Sequence, residues 1–476
     1  MASTSTGTIS STGLGSGLDV KSIVSQLVAI EKQPLVQLKS KATTFQTQLS
    51  TYGTLKSQVS TFYDAAALLS GPNGWNAQLA TSSNPTAVGV TASSSAAASS
   101  LSVEVSQLAR AQTSASTAVK IGAAVGASGT LKIEVGAWSM SAAIPSVGTF
   151  GTATGTATVS IVAGDTMTAI AGKVNAANAG VTATVLSDGT NERLVIKSST
   201  TGTAAGFRLN SPADAGLAPL GLGNPSDAVF AGQVAQDANV KINGIDVVSA
   251  TNKLTAAVPG VTLQLSGITT SPVDVSVNTD LTVVQNNIQS FVDAYNALNS
   301  TIATATNYNS ATKVGGPLLG DSTTLGIQMT LRSIMGSKST GSTFSYLTDV
   351  GIERQTDGSL KINQTKLTSA ESDLPNLKLL FTASGSSTTT NGFGVKVRDY
   401  THGLINFDGM VTNKSAAIQK SIDNNAKDQD KVTARAAKVE SQLLSQYSAL
   451  DTKIAGLNSL NSYVTAQLAV WNKPAA

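Results

Sequence analysis

His402 is the only histidine of this 476-residue chain, and there is no cysteine. Those two facts remove thiol nucleophiles, disulfides, iron–sulfur clusters and Cys-ligated zinc, and leave no histidine pair for a metal site. His402 stands in Tyr400-Thr-His-Gly with no G-x-S-x-G nucleophile motif elsewhere, so a hinge or packing role is expected of it. Gly13-Leu-Gly-Ser-Gly17 has the glycine spacing of a phosphate loop, but the lysine and the preceding strand are missing, and it reads as a flexible leader. Gly221-Leu-Gly223 lacks the third glycine of a dinucleotide fingerprint and reads as a turn. Asp428 and Asp430 lack the glycine and terminal glutamate of a calcium loop. The remaining acidic residues are scattered singly, so the sequence offers no carboxylate pair. No catalytic residue, cofactor or metal site is expected, and the chain reads as something other than an enzyme.

The elements that would carry any other function must then be read from composition and period. Aromatic residues make up 4% and charged residues 12%, well below the charged content of an average globular protein. Ser and Thr fill roughly a quarter of the chain, a bias toward turns and β structure. Charge is nearly balanced at +3, and Lys431, Arg435 and Lys438 are interleaved with Asp428, Asp430 and Glu440 as on a solvated helix face, so no nucleic acid is expected. No apolar run reaches the roughly 18 residues of a membrane span, and the first twenty residues lack the basic and apolar regions of a Sec signal. Neither membrane insertion nor a cleaved signal peptide is expected.

Both ends of the chain carry helical periodicity. A Ser/Thr/Gly leader, expected to be disordered in the isolated chain, precedes Asp19, a plausible N-cap for a helix whose apolar face carries Ile23, Val24 and Leu27. Pro34 marks a break. Beyond it Leu38, Phe45, Tyr52, Val59 and Ala66 recur every seven residues, with Ala42, Leu49, Lys56 and Tyr63 as companions, a heptad seam flawed at Lys56. Gly71-Pro72-Asn73-Gly74 ends it. Near the other end Leu443, Leu450, Leu457 and Val464 repeat by seven, with Tyr447, Ile454, Asn461 and Leu468 between them. At 1.5 Å per residue the seams 38–66 and 436–468 span roughly 44 and 50 Å, so burying each against the other is the simplest expectation. Two unrelated surface helices on a globular core are the alternative.

The middle alternates with period two: Leu101–Val105, Leu131–Val135, Val181–Val185, Leu194–Lys197, Val261–Leu265 and Val273–Val277 read as strands. Asp188-Gly189 and Asn243-Gly244 are hairpin turns. Helices are expected over Thr166–Asn178, from Leu281 onward with Val284, Ile288, Phe291, Val292, Tyr295 and Leu298 on one face, and over Thr323–Met335. The run 381–392, FTASGSSTTTNG, reads as a low-complexity loop.

Taken in order, Gly13-Leu-Gly-Ser-Gly-Leu-Asp-Val20, Val103-Glu-Val-Ser-Gln-Leu-Ala109, Phe291-Val-Asp-Ala-Tyr-Asn296, Gly316-Pro-Leu-Leu-Gly-Asp321, Leu347-Thr-Asp-Val-Gly-Ile352 and Asp357-Gly-Ser-Leu360 resemble the signatures of bacterial flagellar filament-cap proteins of the FliD type. The segment 137–180 carries none of them. The resemblance implies a multidomain α + β chain, with terminal helices forming a coiled-coil leg, a mixed α/β middle domain and β-rich head domains. Its expected parts are a leg with leader over 1–75 and 401–476, a helix-rich middle domain over 76–90 and 281–400, a β-rich head over 91–130 and 235–280, and a second, variable head over 131–234. It further implies a homo-oligomeric ring, pentameric or hexameric, at the extracellular tip of the flagellum, where it promotes insertion and folding of exported flagellin. Flagellin, the hook–filament junction protein and an export chaperone at the C-terminal helix are the implied partners, and the flagellar type III apparatus the implied export route. Leu38, Phe45, Leu49, Tyr52, Val59, Leu443, Tyr447, Leu450, Ile454, Leu457 and Val464 are the expected leg or oligomer contacts. A flagellin-like or junction filament subunit, and a secreted glycan-binding adhesin, are the alternatives.

Overall fold

A computed structural model describes residues 19–140, 148–210, 215–221 and 233–471. The leader and its Gly13–Gly17 run, and most of the Gly221–Gly223 run, lie outside them. The helices are α1 (Val20–Glu31), α2 (Gln33–Ser70), α3 (Met167–Ala176), α4 (Leu281–Thr306), α5 (Ser322–Met335), α6 (Gln364–Glu371), α7 (Leu374–Thr382), α8 (Phe393–Ile405) and α9 (Met410–Trp471). The chain divides into two compact units, one from 1–74 with 285–476 and one from 75–284.

The first unit is a helical assembly in which α2 packs along α8 and α9. Its core is set by an apolar face on α2 at Tyr52, Leu55, Val59, Phe62, Ala66 and Leu69, all buried. The steps are alternately three and four residues, so the face stays in line along the helix. The heptad spacing places Lys56 and Tyr63 as companion positions. Their neighbours Leu55 and Phe62 hold those places instead, Lys56 is exposed, and the expected flaw disappears. Phe62 meets the rings of Phe291 and Tyr295 on α4 at centroid distances of 5.1 and 5.8 Å. The expected α4 face, Val284 through Leu298, is buried as a continuous stripe. Helix ends follow local chemistry. Asp19, Asp321 and Asn363 each accept a backbone N–H in the first turn of α1, α5 and α6.

The terminal helices differ from their sequence pattern in two respects. On α1 the buried residues are Val20, Val24 and Val28, one every turn, while Leu27 is exposed and Ile23 half-buried. The seams 38–66 and 436–468 also do not pack against each other. Phe45, Gln48 and Tyr52 of α2 lie beside Lys414, Ala417, Ile418 and Ser421 of α9, and the valine stripe of α1 packs on Ala436, Leu443, Leu444 and Tyr447. The reason is economy of burial. The inner half of α2 already packs along α8 and meets α4 through Phe62, so α9 meets α2 near Lys414–Ser421 and α1 through its middle.

The second unit is β-rich. Its strands are β1 (Gln78–Ser82), β2 (Val88–Ala92), β3 (Ser99–Gln107), β4 (Thr113–Ala115), β5 (Val119–Lys120), β6 (Gly129–Val135), β7 (Trp138–Met140), β8 (Gly148–Phe150), β9 (Gly155–Ile161), β10 (Val181–Ser187), β11 (Asn191–Ser198), β12 (Phe207–Asn210), β13 (Ala238–Ile242), β14 (Ile245–Ser249), β15 (Lys253–Val258), β16 (Val261–Leu265) and β17 (Val273–Thr279). An antiparallel sheet in the order β1-β17-β3-β13-β14 faces a smaller one, β15-β16-β2, and their inward valines, leucines and isoleucines share one core. A second core gathers under α3 from the sheets β10-β11-β4 and β12-β6-β9. The expected hairpin turns form as read. Asn243 and Gly244 take φ 51° and 82°, as a two-residue hairpin loop requires, while β10 and β11 are joined by three residues with Gly189 at φ 96°.

Candidate functional site

The residues singled out by the sequence resemblance are mostly structural clamps. Asn296 holds the chain at Leu360 by donating to its carbonyl at 2.8 Å and accepting its N–H at 2.7 Å, and the Tyr295 hydroxyl donates to the Gly358 carbonyl at 2.9 Å. The Asp357–Leu360 turn is thereby fixed to α4, with Gly358 at φ 85°. Gly351 takes φ 85°, and a Cβ there would meet the Asn363 carbonyl oxygen at 2.6 Å, so the Leu347–Ile352 run needs glycine at that point. In the Val103–Ala109 run, Gln107 donates to the Asp237 carbonyl at 2.7 Å, and Ala109 exchanges both backbone bonds with Asn252. These contacts explain the residue types without any chemistry at them.

Asp321 is the exception, because it joins three helices at once. Its Oδ1 caps α5 through the Thr324 N–H at 2.9 Å and accepts the Tyr52 hydroxyl of α2 at 2.6 Å. Its Oδ2 pairs with Lys414 Nζ of α9 at 2.8 Å. Burial alone would raise the carboxyl, but the Lys414 ammonium and the Tyr52 and Thr324 donors outweigh it and hold it at about 2. Burial and the same carboxylate push the Tyr52 hydroxyl up, so it stays a donor. The junction fixes the base of α9 to α2 and α5. Sequence reasoning missed it, because Tyr52 and Asp321 are 269 residues apart.

The expected leg contacts fall into distinct environments. Tyr52 and Val59 are fully buried inside the helical unit, so they are core residues with no surface to offer another copy. Leu38, Phe45 and Leu49 are half-buried along α2. Leu443 and Tyr447 pack against α1. Beyond them Ile454 is half-buried, and Leu450, Leu457 and Val464 are 45%, 64% and 46% exposed, continued by Leu468 and Trp471. Among the described residues these side chains form an exposed apolar stripe along the outer part of α9. Asn461 lies on the exposed part as well.

The residues weighed for other chemistry are accounted for locally. His402 is exposed, with its ring 5.8 Å from that of Tyr63. Asp428 pairs with Lys431 at 2.9 Å and Arg435 with Glu31 at 3.0 Å, as on a solvated face. Among the described residues no group of three His, Cys, Asp or Glu side chains is placed to hold a metal ion. Among the same residues no helix is long and apolar enough to cross a membrane.

Comparison with known proteins gives a consistent set of likenesses. The family model for the flagellar hook-associated protein 2 N-terminus matches residues 16–112, that for the flagellar hook-associated protein 2 C-terminus matches 235–459, and the flagellin hook IN motif matches 149–200. Flagellar hook-associated protein 2 of Escherichia coli K12 is 28% identical over 477 residues, covering 96% of this chain and 98% of that one. The A-type flagellar hook-associated protein 2 of Pseudomonas aeruginosa is 28% identical, covering 96% of each chain. The crystal structure of the D1-D2-D3 domains of the flagellar cap protein FliD from Escherichia coli superposes with a TM-score of 0.59 at 28% identity, covering 78% of this chain and 99% of that one.

Proposed function

We propose that this chain, which belongs to the flagellar hook-associated protein 2 family, is the structural cap at the tip of the growing flagellum and promotes insertion and folding of exported flagellin subunits. The observation that carries this reading is the match of family models to both halves of the chain, joined to a likeness along nearly the whole length of the Escherichia coli protein. The role is structural and non-enzymatic.

The physical logic is one of shelter and attachment. A flagellin subunit emerging partly unfolded exposes apolar helical stripes that would aggregate or diffuse away. A closed ring of identical copies with heterologous interfaces encloses a volume for it without open-ended growth. We assign the ring, pentameric or hexameric, to this chain on that ground. The terminal helices act as its legs, as a coiled coil once partnered, and the uncovered stripe through Leu450, Leu457 and Val464 supports this. A leg contacting flagellin or the hook–filament junction protein needs such a stripe outside and a fixed base inside, which the Asp321 junction supplies. Export through the flagellar type III apparatus, with a chaperone covering the C-terminal helix beforehand, would keep the stripe from aggregating before assembly.

Deletion and complementation test the reading. Cells lacking this chain are expected to release unpolymerised flagellin and to regain filaments when it is restored. Normal filaments in its absence would overturn the proposal.

A further inference from the structure

We propose that the cavity bounded by α5, α8 and the loop 383–392 is a binding site for a carboxylate carried on an apolar body. The cavity, about 430 Å³, lies wholly within the helical unit. That volume falls in the range of small-ligand pockets. Lys396 and Lys338 both line it. The Lys396 ammonium donates to Ser337 Oγ at 3.0 Å and to the Lys338 carbonyl at 2.7 Å, both neutral acceptors, and stands 5.0 Å from the Phe393 ring centroid. Among the described residues neither lysine has a carboxylate within ion-pair distance. Asp399 also lines the cavity, but Arg398 donates to its Oδ1 at 2.9 and 2.7 Å, so its charge is answered.

The balance is one partly buried ammonium, that of Lys396, and a second, exposed lysine in the lining, Lys338, with Asp399 already paired to Arg398. Withdrawing an ammonium from water without an anion is costly, and burial holds the Lys396 group below its ordinary range. A carboxylate placed beside the Lys396 ammonium removes that cost through a charge-assisted hydrogen bond, with Lys338 in the lining to add a second charge. Ile334 and the Tyr400 ring offer the apolar contact that a simple inorganic anion could not use. The loop wall is itself fixed. Thr340 N–H donates to the Thr389 carbonyl at 2.9 Å, and Gly385 N–H donates to Asn391 Oδ1 at 2.8 Å. The low-complexity run thus has a structural use as one side of a pocket. The carboxylate could belong to a free small molecule or to the end of a polypeptide chain. The site stands independently of the cap reading.

Titration of the full chain with four probes tests it: 3-phenylpropanoate, its uncharged amide, a short peptide ending in a free phenylalanine carboxylate, and the same peptide amidated. Each charged probe that binds should do so at least about tenfold more tightly than its amide, as a charge-assisted bond implies. Lys396→Met and Lys338→Met should each weaken it by about tenfold or more on the same ground. Tighter binding of the free peptide marks a chain end as the source, and tighter binding of the small acid marks a metabolite. Equal binding of charged and uncharged probes, unchanged titration by both variants, or no saturation by about 10 mM overturns the proposal. If Lys396→Met loses structure by circular dichroism, the exposed Lys338→Met alone decides between these outcomes.

Discussion

Replacing Asp321 by asparagine isolates the charge of the three-helix junction. Asparagine keeps an oxygen for the α5 cap and for the Tyr52 hydroxyl, but it cannot answer Lys414 with a negative charge. The carboxyl is depressed from 3.8 to about 2 in the folded chain. At about 1.4 kcal/mol per pH unit, this corresponds to about 2 kcal/mol of stabilisation at neutral pH. A depressed carboxyl gives its full contribution above its unfolded value, and that contribution is lost as pH falls from about 4 through about 2. The variant should therefore be about 2 kcal/mol less stable than the parent at pH 7. The two should converge toward pH 2. Carboxylates in the β-rich unit confuse a global measurement, since Lys132 and Arg208 also hold Glu134 below the ordinary range. Hydrogen exchange read at amides of α2, α5 and the first turns of α9 avoids this. Equal protection in parent and variant at pH 7, or a gap that persists unchanged at pH 2, would refute the reasoning.

Other perturbations follow from the same contacts. Leu450→Glu with Leu457→Glu should stop filament growth in cells while circular dichroism and the β-rich unit remain unchanged, because both side chains are exposed; loss of folding throughout would show that the stripe is core. Phe62→Ala should cost about 3–5 kcal/mol, seen as a lowered denaturation midpoint, since its ring is fully buried against Phe291 and Tyr295. Gly351→Ala should cost about 1–3 kcal/mol by the same measurement, because a side chain there is strained at φ 85° and meets the Asn363 carbonyl. Gln112→Leu should loosen strand β12, because the Gln112 amide donates to the Phe207 carbonyl at 2.6 Å and accepts its N–H at 2.9 Å; exchange at the Phe207 amide should rise sharply.

Strands and helices were legible where one side of an element is buried and its partners are near in sequence. The β10–β11 and β13–β14 hairpins, the α4 stripe and the cap at Asp19 all follow from local pattern and turn chemistry. The terminal helices were legible as helices but not in their pairing. A heptad repeat states that a stripe will be covered without stating by what. Here α1, a short helix with valine at each turn, takes the middle of α9, and the globular unit takes the inner half of α2. The candidate site was legible only in its outer part, where Leu450, Leu457 and Val464 keep their seven-residue spacing. The Asp321 junction and the lysine-lined cavity join residues from separate elements, and no periodicity marks such meetings.

Native mass measurement of the full chain in solution tests the central claim most directly, since a cap must close on itself. One discrete species at five or six times the subunit mass is expected, dispersed when Leu450 and Leu457 carry charge. A monomer at all concentrations, or a continuous ladder of ever longer filaments, would contradict it.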